Sequence, residues 1–212
     1  MRMGSTGKMY RLICAFLIGL LAGPALGQES VYTDLDLDAC TSINPSSEDE
    51  PGGFASLRCK GLGGLPVYFK EFDLRQSAYF GSVSPRIIDE AGETFSTFNH
   101  IGNKVEWRLG ADGRPYAAIL RWFIENSDPG TGMPDKAFWG QVLVVSKVAA
   151  DQDGMGCVAG YVDALANPEP NLLARQVADD VARGFSCGVD RATYHGERGE
   201  KAGEPSYSFP TP

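Results

Sequence analysis

Apolar and polar residues alternate along most of this chain with the two-residue period of β-strands, and a single stretch shows the helical period instead. Over 31–39, Val31, Thr33, Leu35 and Leu37 fall on one side and Tyr32, Asp34, Asp36 and Asp38 on the other, which predicts a half-buried strand with an acidic outer face. Residues 54–59, 65–69 and 78–80 read as further strands. The span 82–103 carries the weakest pattern, although Phe95 and Phe98 need anchoring somewhere. Residues 105–109 pair naturally with 116–125 across Gly110-Ala111-Asp112-Gly113, a good hairpin signal. Residues 138–148 are long, β-branched and largely apolar, as a central strand is, and 157–162 is the last strand predicted.

The helical stretch is 171–183. Leu173, Val177 and Val181 recur every fourth residue, and Leu172, Ala174 and Ala178 widen the stripe. Arg175, Gln176, Asp179, Asp180 and Arg183 fall largely on the opposite side. Pro170 sits where a first-turn proline costs little, and Gly184 reads as a left-handed stop. These elements predict an α+β fold: a twisted antiparallel sheet of about seven strands with the late helix packed on one face. A β-sandwich or partly closed barrel with an appended helix is the alternative. The Gly- and Pro-rich residues 196–212 read as a disordered tail, so 28–195 would form a single domain.

The first residues change the picture of where the chain works. Arg2, Lys8 and Arg11 precede a short apolar run from Leu12 to Ala22, and Ala25-Leu26-Gly27 fits a cleavage site, so residues 1–27 read as a signal peptide. The apolar run is short for a membrane span, which predicts no stable insertion after cleavage. The whole chain carries a formal charge of −8, and loss of three basic residues with the leader takes this to −11. That balance argues against nucleic acid and anionic membrane surfaces, which need a basic face. The expected location is periplasmic or secreted.

Cys14 leaves with the leader, and Cys40, Cys59, Cys157 and Cys187 remain. An even count in an exported chain reads as disulfides with three possible connectivities; proximity favours Cys40–Cys59 and Cys157–Cys187. Each closed loop would contribute roughly 3–4 kcal/mol on the chain-entropy account. Zinc would need short paired spacings that the chain lacks.

The candidate chemistry is sparse. Gly184-Phe185-Ser186-Cys187-Gly188 has the letters of a nucleophile elbow, with Asp190 and His195 following, but the helix precedes the serine where a strand is required. Asp151 and Asp153 resemble the start of a calcium loop, but Met155 and Val162 occupy positions that need oxygen ligands. Gly61-Leu62-Gly63-Gly64-Leu65-Pro66 precedes a strand rather than the helix that phosphate binding needs. His100 and His195, the two histidines, have no neighbours at ligand spacing. No cofactor or metal is expected. Two surfaces are left as binding candidates: the acidic cluster Asp34, Asp36, Asp38, Glu48, Asp49 and Glu50, and the aromatic and basic positions Trp107, Arg121 and Trp122.

The Cys40 and Cys59 pair, Gly61–Asp73 followed by Leu74-Arg75, Gly156-Cys157, Tyr161–Ala164 and Leu173–Asp179 together resemble a family of exported proteins of alphaproteobacterial type with no assigned activity. The resemblance implies export and a shared fold, and it carries over no functional residue. The chain is also similar in type to small disulfide-bonded lysozyme inhibitors of the bacterial envelope, by analogy alone. The expectation is therefore a non-enzymatic binding protein of the cell envelope with a basic envelope protein as partner. The alternative is an envelope hydrolase.

Overall fold

The computed structural model of the chain describes residues 29–43, 54–151 and 153–210, together with Met1 and Gly4. Apart from Met1 and Gly4, the proposed leader lies outside these described residues, as do Glu48, Asp49 and Glu50.

In chain order the elements are β1 (Ser30–Asp34), β2 (Thr41–Ser42), β3 (Phe54–Lys60), β4 (Pro66–Phe72), β5 (Arg75–Phe80), α1 (Pro85–Glu90), β6 (Gly92–Phe95), β7 (Asn99–Leu109), β8 (Pro115–Ile124), β9 (Gly140–Lys147), β10 (Cys157–Asp163), α2 (Pro170–Val177), β11 (Thr193–Tyr194) and β12 (Pro205–Ser208). The expected single sheet of about seven strands is instead divided among three. A six-stranded sheet has the order β1-β7-β8-β9-β10-β11, a four-stranded sheet the order β2-β3-β4-β5, and β6 and β12 form a two-stranded ribbon. The division occurs in the span with the weakest pattern, where Ser84 caps α1 by accepting the Ile87 N–H and Pro85 opens the helix. That short helix takes the chain out of the four-stranded sheet before β7 enters the six-stranded one.

The two larger sheets pack face to face. Val67, Phe69, Ala78 and Phe80 from the smaller one meet Val105, Trp107, Leu120, Trp122, Val144 and Val158 from the larger. Alternation then turns Glu106, Arg108, Ile119, Arg121, Phe123, Leu143 and Val145 to the other face of the large sheet. There α2 and the π-helical turn that continues it, Ala178–Ala182, cover Ala117, Ile119, Leu143, Val145, Ala159 and Val162. The helix approaches closely because Gly160 has no side chain: a Cβ there would sit 2.8 Å from Val177 Cγ1. Its buried stripe is Ala174, Val177, Ala178 and Ala182, while Leu172 is 47% exposed. Small residues face the sheet, so the stripe is rotated from the one that the leucine and valine spacing implied. Pro170 does open the helix, whereas Gly184 is not in the left-handed region, which Gly188 occupies at φ 82°.

Each disulfide ties one layer to the next. Cys40–Cys59 joins the segment after β1 to β3 in the smaller sheet, and Cys157–Cys187 joins β10 to the turn beyond α2. Both pairings are the ones predicted from sequence.

Residues 196–210 are ordered, against the expectation of a disordered tail. β12 pairs with β6 along Pro205↔Phe95 to Ser208↔Gly92, and Tyr194 Oη donates to the carbonyls of Ala202 (2.5 Å) and Gly203 (3.0 Å). The Asn167 side chain brackets Glu197, accepting its N–H at 3.0 Å and donating to its carbonyl at 2.8 Å. Polar composition misleads here because strand pairing with β6 and hydrogen bonds between side chains and backbone hold the segment, which buries Ala202 in the core.

At the seam between ribbon and large sheet lies Glu93, 2% exposed. Its Oε2 accepts the Val158 N–H at 3.0 Å, and its own N–H donates to Tyr79 Oη at 3.1 Å. Oε1 has no hydrogen-bond partner. Burial raises its pKa from 4.5 to about 8, against the opposing Val158 hydrogen bond. The folded protein therefore keeps a proton that the unfolded chain releases above the ordinary glutamate value. Stability contributed by this group is fully present below pH 4.5, falls as pH rises to about 8, and is level beyond. We expect Glu93→Gln to remove that slope, so that urea denaturation shows the variant gaining on the wild type as pH rises through this window. Parallel pH–stability curves would contradict the assignment.

Candidate functional site

The geometry of the site begins with an irregularity in β7. Its pairing with β8 runs from Leu109 to Val105↔Leu120, breaks, and resumes at Ile101↔Trp122. Gly102, Asn103 and Lys104 therefore stand opposite the single residue Arg121. This β-bulge lifts β7 away from β8 without releasing it from β1, since Leu35 N–H donates to the Asn103 carbonyl at 2.8 Å and Asp34 pairs with Lys104 in register. Gly102 permits the close turn: a Cβ there would lie 3.3 Å from the Arg121 carbonyl oxygen.

The result is a cleft of about 260 Å³ on the α2 side of the large sheet, bounded by β1, the bulge, β8, β9 and the first turn of α2. Ile119, Leu143 and Phe123 give it an apolar floor, Tyr32 and Glu106 form one wall, and Asn171 stands on the helix rim. Arg121 lies across it, half-buried. Its guanidinium donates to Gln141 Oε1 at 2.9 Å and Asn171 Oδ1 at 3.5 Å, both neutral amide oxygens. No carboxylate among the described residues forms an ion pair with it. Burial pushes its pKa below the usual arginine value.

Arg108 and Arg175 on this face are treated differently. Arg108, 6% exposed, makes a two-pronged pair with Asp179 of the helix, Nε to Oδ1 at 2.9 Å and Nη2 to Oδ2 at 2.7 Å. Tyr116 Oη also donates to Asp179, and Arg183 stacks over the Tyr116 ring at 3.6 Å. Burial works against the Arg108 charge, but the Asp179 hydrogen bonds and charge outweigh it and its pKa rises. Arg175 reaches from the helix to Glu106, Nε to Oε1 at 2.5 Å, and to Tyr32 Oη at 2.9 Å. The hydrogen bonds it donates to Glu106 raise the Arg175 pKa. Ser30 Oγ links the pairs, accepting from Arg108 Nη1 and donating to Glu106 Oε1. Charges expected on the solvated side of the helix thus fasten it to β7.

Beyond the cleft, Phe123 stacks on His100 at 4.9 Å, and His100 Nδ1 shares a 2.6 Å hydrogen bond with Glu125 Oε1. Trp139 meets the histidine edge-on at 5.3 Å. Through Phe123 this cluster backs one side of the cleft.

Of the predicted binding positions among the described residues, Arg121 alone lines the cleft. Trp107 and Trp122 are 0% and 1% exposed, fill the core between the sheets, and donate their indole N–H groups to Thr33 Oγ1 and the Gln76 carbonyl. They are no binding surface. Asp34 forms an ion pair with Lys104, and Asp36 caps a short 3₁₀ turn by accepting the Asp38 N–H. β1 ends at Asp34, so Asp34, Asp36 and Asp38 do not share one strand face.

The remaining motifs find structural roles. Asp190 accepts the Ser186 N–H at 2.7 Å, and no hydrogen bond among the described residues joins His195 to either residue. Asp153 accepts the Met155 N–H, closing an Asp-Gly turn. Asp163 takes the N–H groups of Leu165, Ala166 and Gly199. Among the described residues there is no cluster of three His, Cys, Asp or Glu side chains suited to a metal ion.

A second, more open groove of about 490 Å³ lies between the β4–β5 hairpin and the β6–β12 ribbon. Its cations are already engaged. Lys70 Nζ donates to the Ala91 carbonyl at 2.8 Å, and Arg75 pairs with Asp73. The smaller cleft, with its guanidinium lacking a carboxylate, is the stronger site.

Scans against protein-family models, curated proteins and solved structures each found no match.

Removing one partner of the Arg108–Asp179 pair strands a buried charge. Asp179→Ala is expected to cost about 3–5 kcal/mol in urea denaturation, against less than about 1 kcal/mol for Asp73→Ala at the exposed Arg75 pair. Equal costs at the two sites would show that the helix-to-sheet pair does not hold α2 in place.

Proposed function

We propose that this chain is an exported, non-enzymatic binding protein of the cell envelope or the secreted fraction, and that its ligand occupies the cleft opened by the β7 bulge. The observation that carries this reading is Arg121: a half-buried guanidinium in a concavity, held by neutral amides, with no carboxylate of the described chain to balance it. Bulges re-aim strands beside functional sites, and a small cavity with an apolar floor and a few polar groups suits a ligand. Maturation after Gly27 supplies the export. Two disulfides fit an oxidising compartment, and no helix among the described residues is long and apolar enough to cross a membrane.

The cleft is a better candidate site than the acidic edge that would receive a basic protein, because Lys104 already balances Asp34 and Asp36 serves as a cap. The hydrolase alternative gains no support from Ser186, which has no hydrogen bond to His195 among the described residues and whose N–H donates to Asp190.

The full chain should be expressed with its leader, recovered as a product beginning at Gln28 with both disulfides formed, and titrated with the low-molecular-weight fraction of its envelope or medium. Backbone amide resonances of Gly102, Ile119, Arg121 and Leu143 are expected to shift saturably. Retention of Cys14 in the product would count against export. Shifts confined to the opposite groove, or none at all, would count against the cleft.

A further inference from the structure

Besides Arg183, which stacks over Tyr116, three arginines share the α2 face of the large sheet, and the contrast between these three says what the cleft should hold. Arg108 and Arg175 each have a carboxylate supplied by the fold, Asp179 and Glu106. Arg121 sits in the same layer, partly withdrawn from water, and has two amide oxygens instead. A guanidinium presents five donors, of which these oxygens take two. The others have no protein acceptor among the described residues. Taking a cation from water without a counter-charge is costly, and a two-oxygen anion is the natural complement to the guanidinium fork.

Building on the binding reading above, we propose that the ligand of the cleft is a small carboxylate with an apolar body: Arg121 clamps the carboxylate, and Phe123, Ile119 and Leu143 receive the body. The lining supports both halves. Ile119 and Leu143 are nearly fully buried and form a floor continuous with the core under α2, so an apolar group seated there meets packed side chains rather than water. Glu106 is held by Arg175, and Lys104 by Asp34, so the neighbouring charges cancel in pairs and leave the cleft with the surplus positive charge of Arg121. In a chain whose overall formal charge is −8, a locally positive concavity is the place where an anion can be accepted. The volume of about 260 Å³ lies just below the roughly 300–1,000 Å³ range of drug-sized pockets, which limits the ligand to metabolite size.

The test uses the disulfide-bonded exported protein and three probes: benzoate, its neutral isostere benzamide, and inorganic phosphate. Each is titrated to roughly 10 mM while the cleft amide resonances are followed, a range that detects millimolar dissociation constants. We expect benzoate to shift Gly102, Arg121, Phe123 and Leu143 saturably and to bind at least about tenfold more tightly than benzamide, a difference of about 1.4 kcal/mol. Arg121→Met should bring benzoate down to the benzamide level and leave benzamide unchanged. Arg121→Gln serves as a second variant should the methionine fail to fold, with the same loss expected. Added salt should weaken benzoate and not benzamide.

Equal binding of benzoate and benzamide, or undiminished benzoate binding in both variants, would overturn the carboxylate assignment while leaving the cleft as a binding site. Phosphate binding without benzoate binding would replace the carboxylate by a phosphate group and remove the role of the apolar floor. No shift in the cleft with any probe would overturn the carboxylate assignment. If the extract titration also left the cleft unmoved, the binding reading would fall with it.

Discussion

Strands in a sheet lie roughly 4.8 Å apart and a helix with its side chains is about 10 Å across, so α2 can shield little more than two of the six strands in the large sheet. One face of that sheet has no such difficulty, because the four-stranded sheet covers it and tryptophans 107 and 122 fill the space between. On the other face the helix settles over β8, β9 and β10 and leaves β1 and β7 without an apolar lid. Much else in the structure follows from that shortfall. This strip of β7 carries Glu106 and Arg108, which are buried because the helix reaches back over them sideways through Arg175 and Asp179. These pairs substitute for the second helix that a wider layer would need, and they fix the position of α2 along the sheet. Where they end, at the first turn of the helix, the bulge of β7 separates the strands and the cleft appears.

This arrangement explains why the layers are also stapled covalently. A narrow helix layer and a small second sheet each contribute limited buried area, and each is tied to its neighbour by one disulfide. On the chain-entropy account a loop of 19 or 30 residues contributes on the order of 3–4 kcal/mol, a large share of the stability typical of a domain. The ordered C-terminal segment adds a third restraint by pairing β12 with β6 beside the buried Glu93. The proposed binding at the cleft would need these restraints, because Arg121 is held by the amide side chains of Gln141 on β9 and Asn171 on α2.

Local features were legible in the sequence and long-range ones were not. The β7–β8 hairpin, the long strand β9, the proline-opened helix and both disulfides depend on neighbours close in the chain, and pattern or proximity found each. The partition into three sheets depends on β1 finding β7 and on β6 finding β12, pairings that no local period encodes. Period two also places Trp107 beside Arg108, and Arg121 beside Trp122, without saying which member of each pair faces the core. The tryptophans face it, and of the three residues Arg121 alone lines the cleft. The signal that could have located the cleft was Gly102-Asn103-Lys104 interrupting the alternation between Ile101 and Val105. A glycine inside a strand pattern marks a bulge. Arg175 and Asp179 were read as solvated because helical period separates apolar from polar sides and cannot show that the polar side meets a sheet.

The central claim is that the β7 bulge creates the cleft. It is tested most directly by deleting Gly102 and Asn103, an even number of residues that preserves the alternation of faces along β7, and determining the structure of the variant. The account predicts a continuous β7–β8 ladder through Arg121, both disulfides intact, and the concavity between Tyr32, Phe123 and Asn171 closed. A variant that folds with the cleft still open around Arg121 would contradict it.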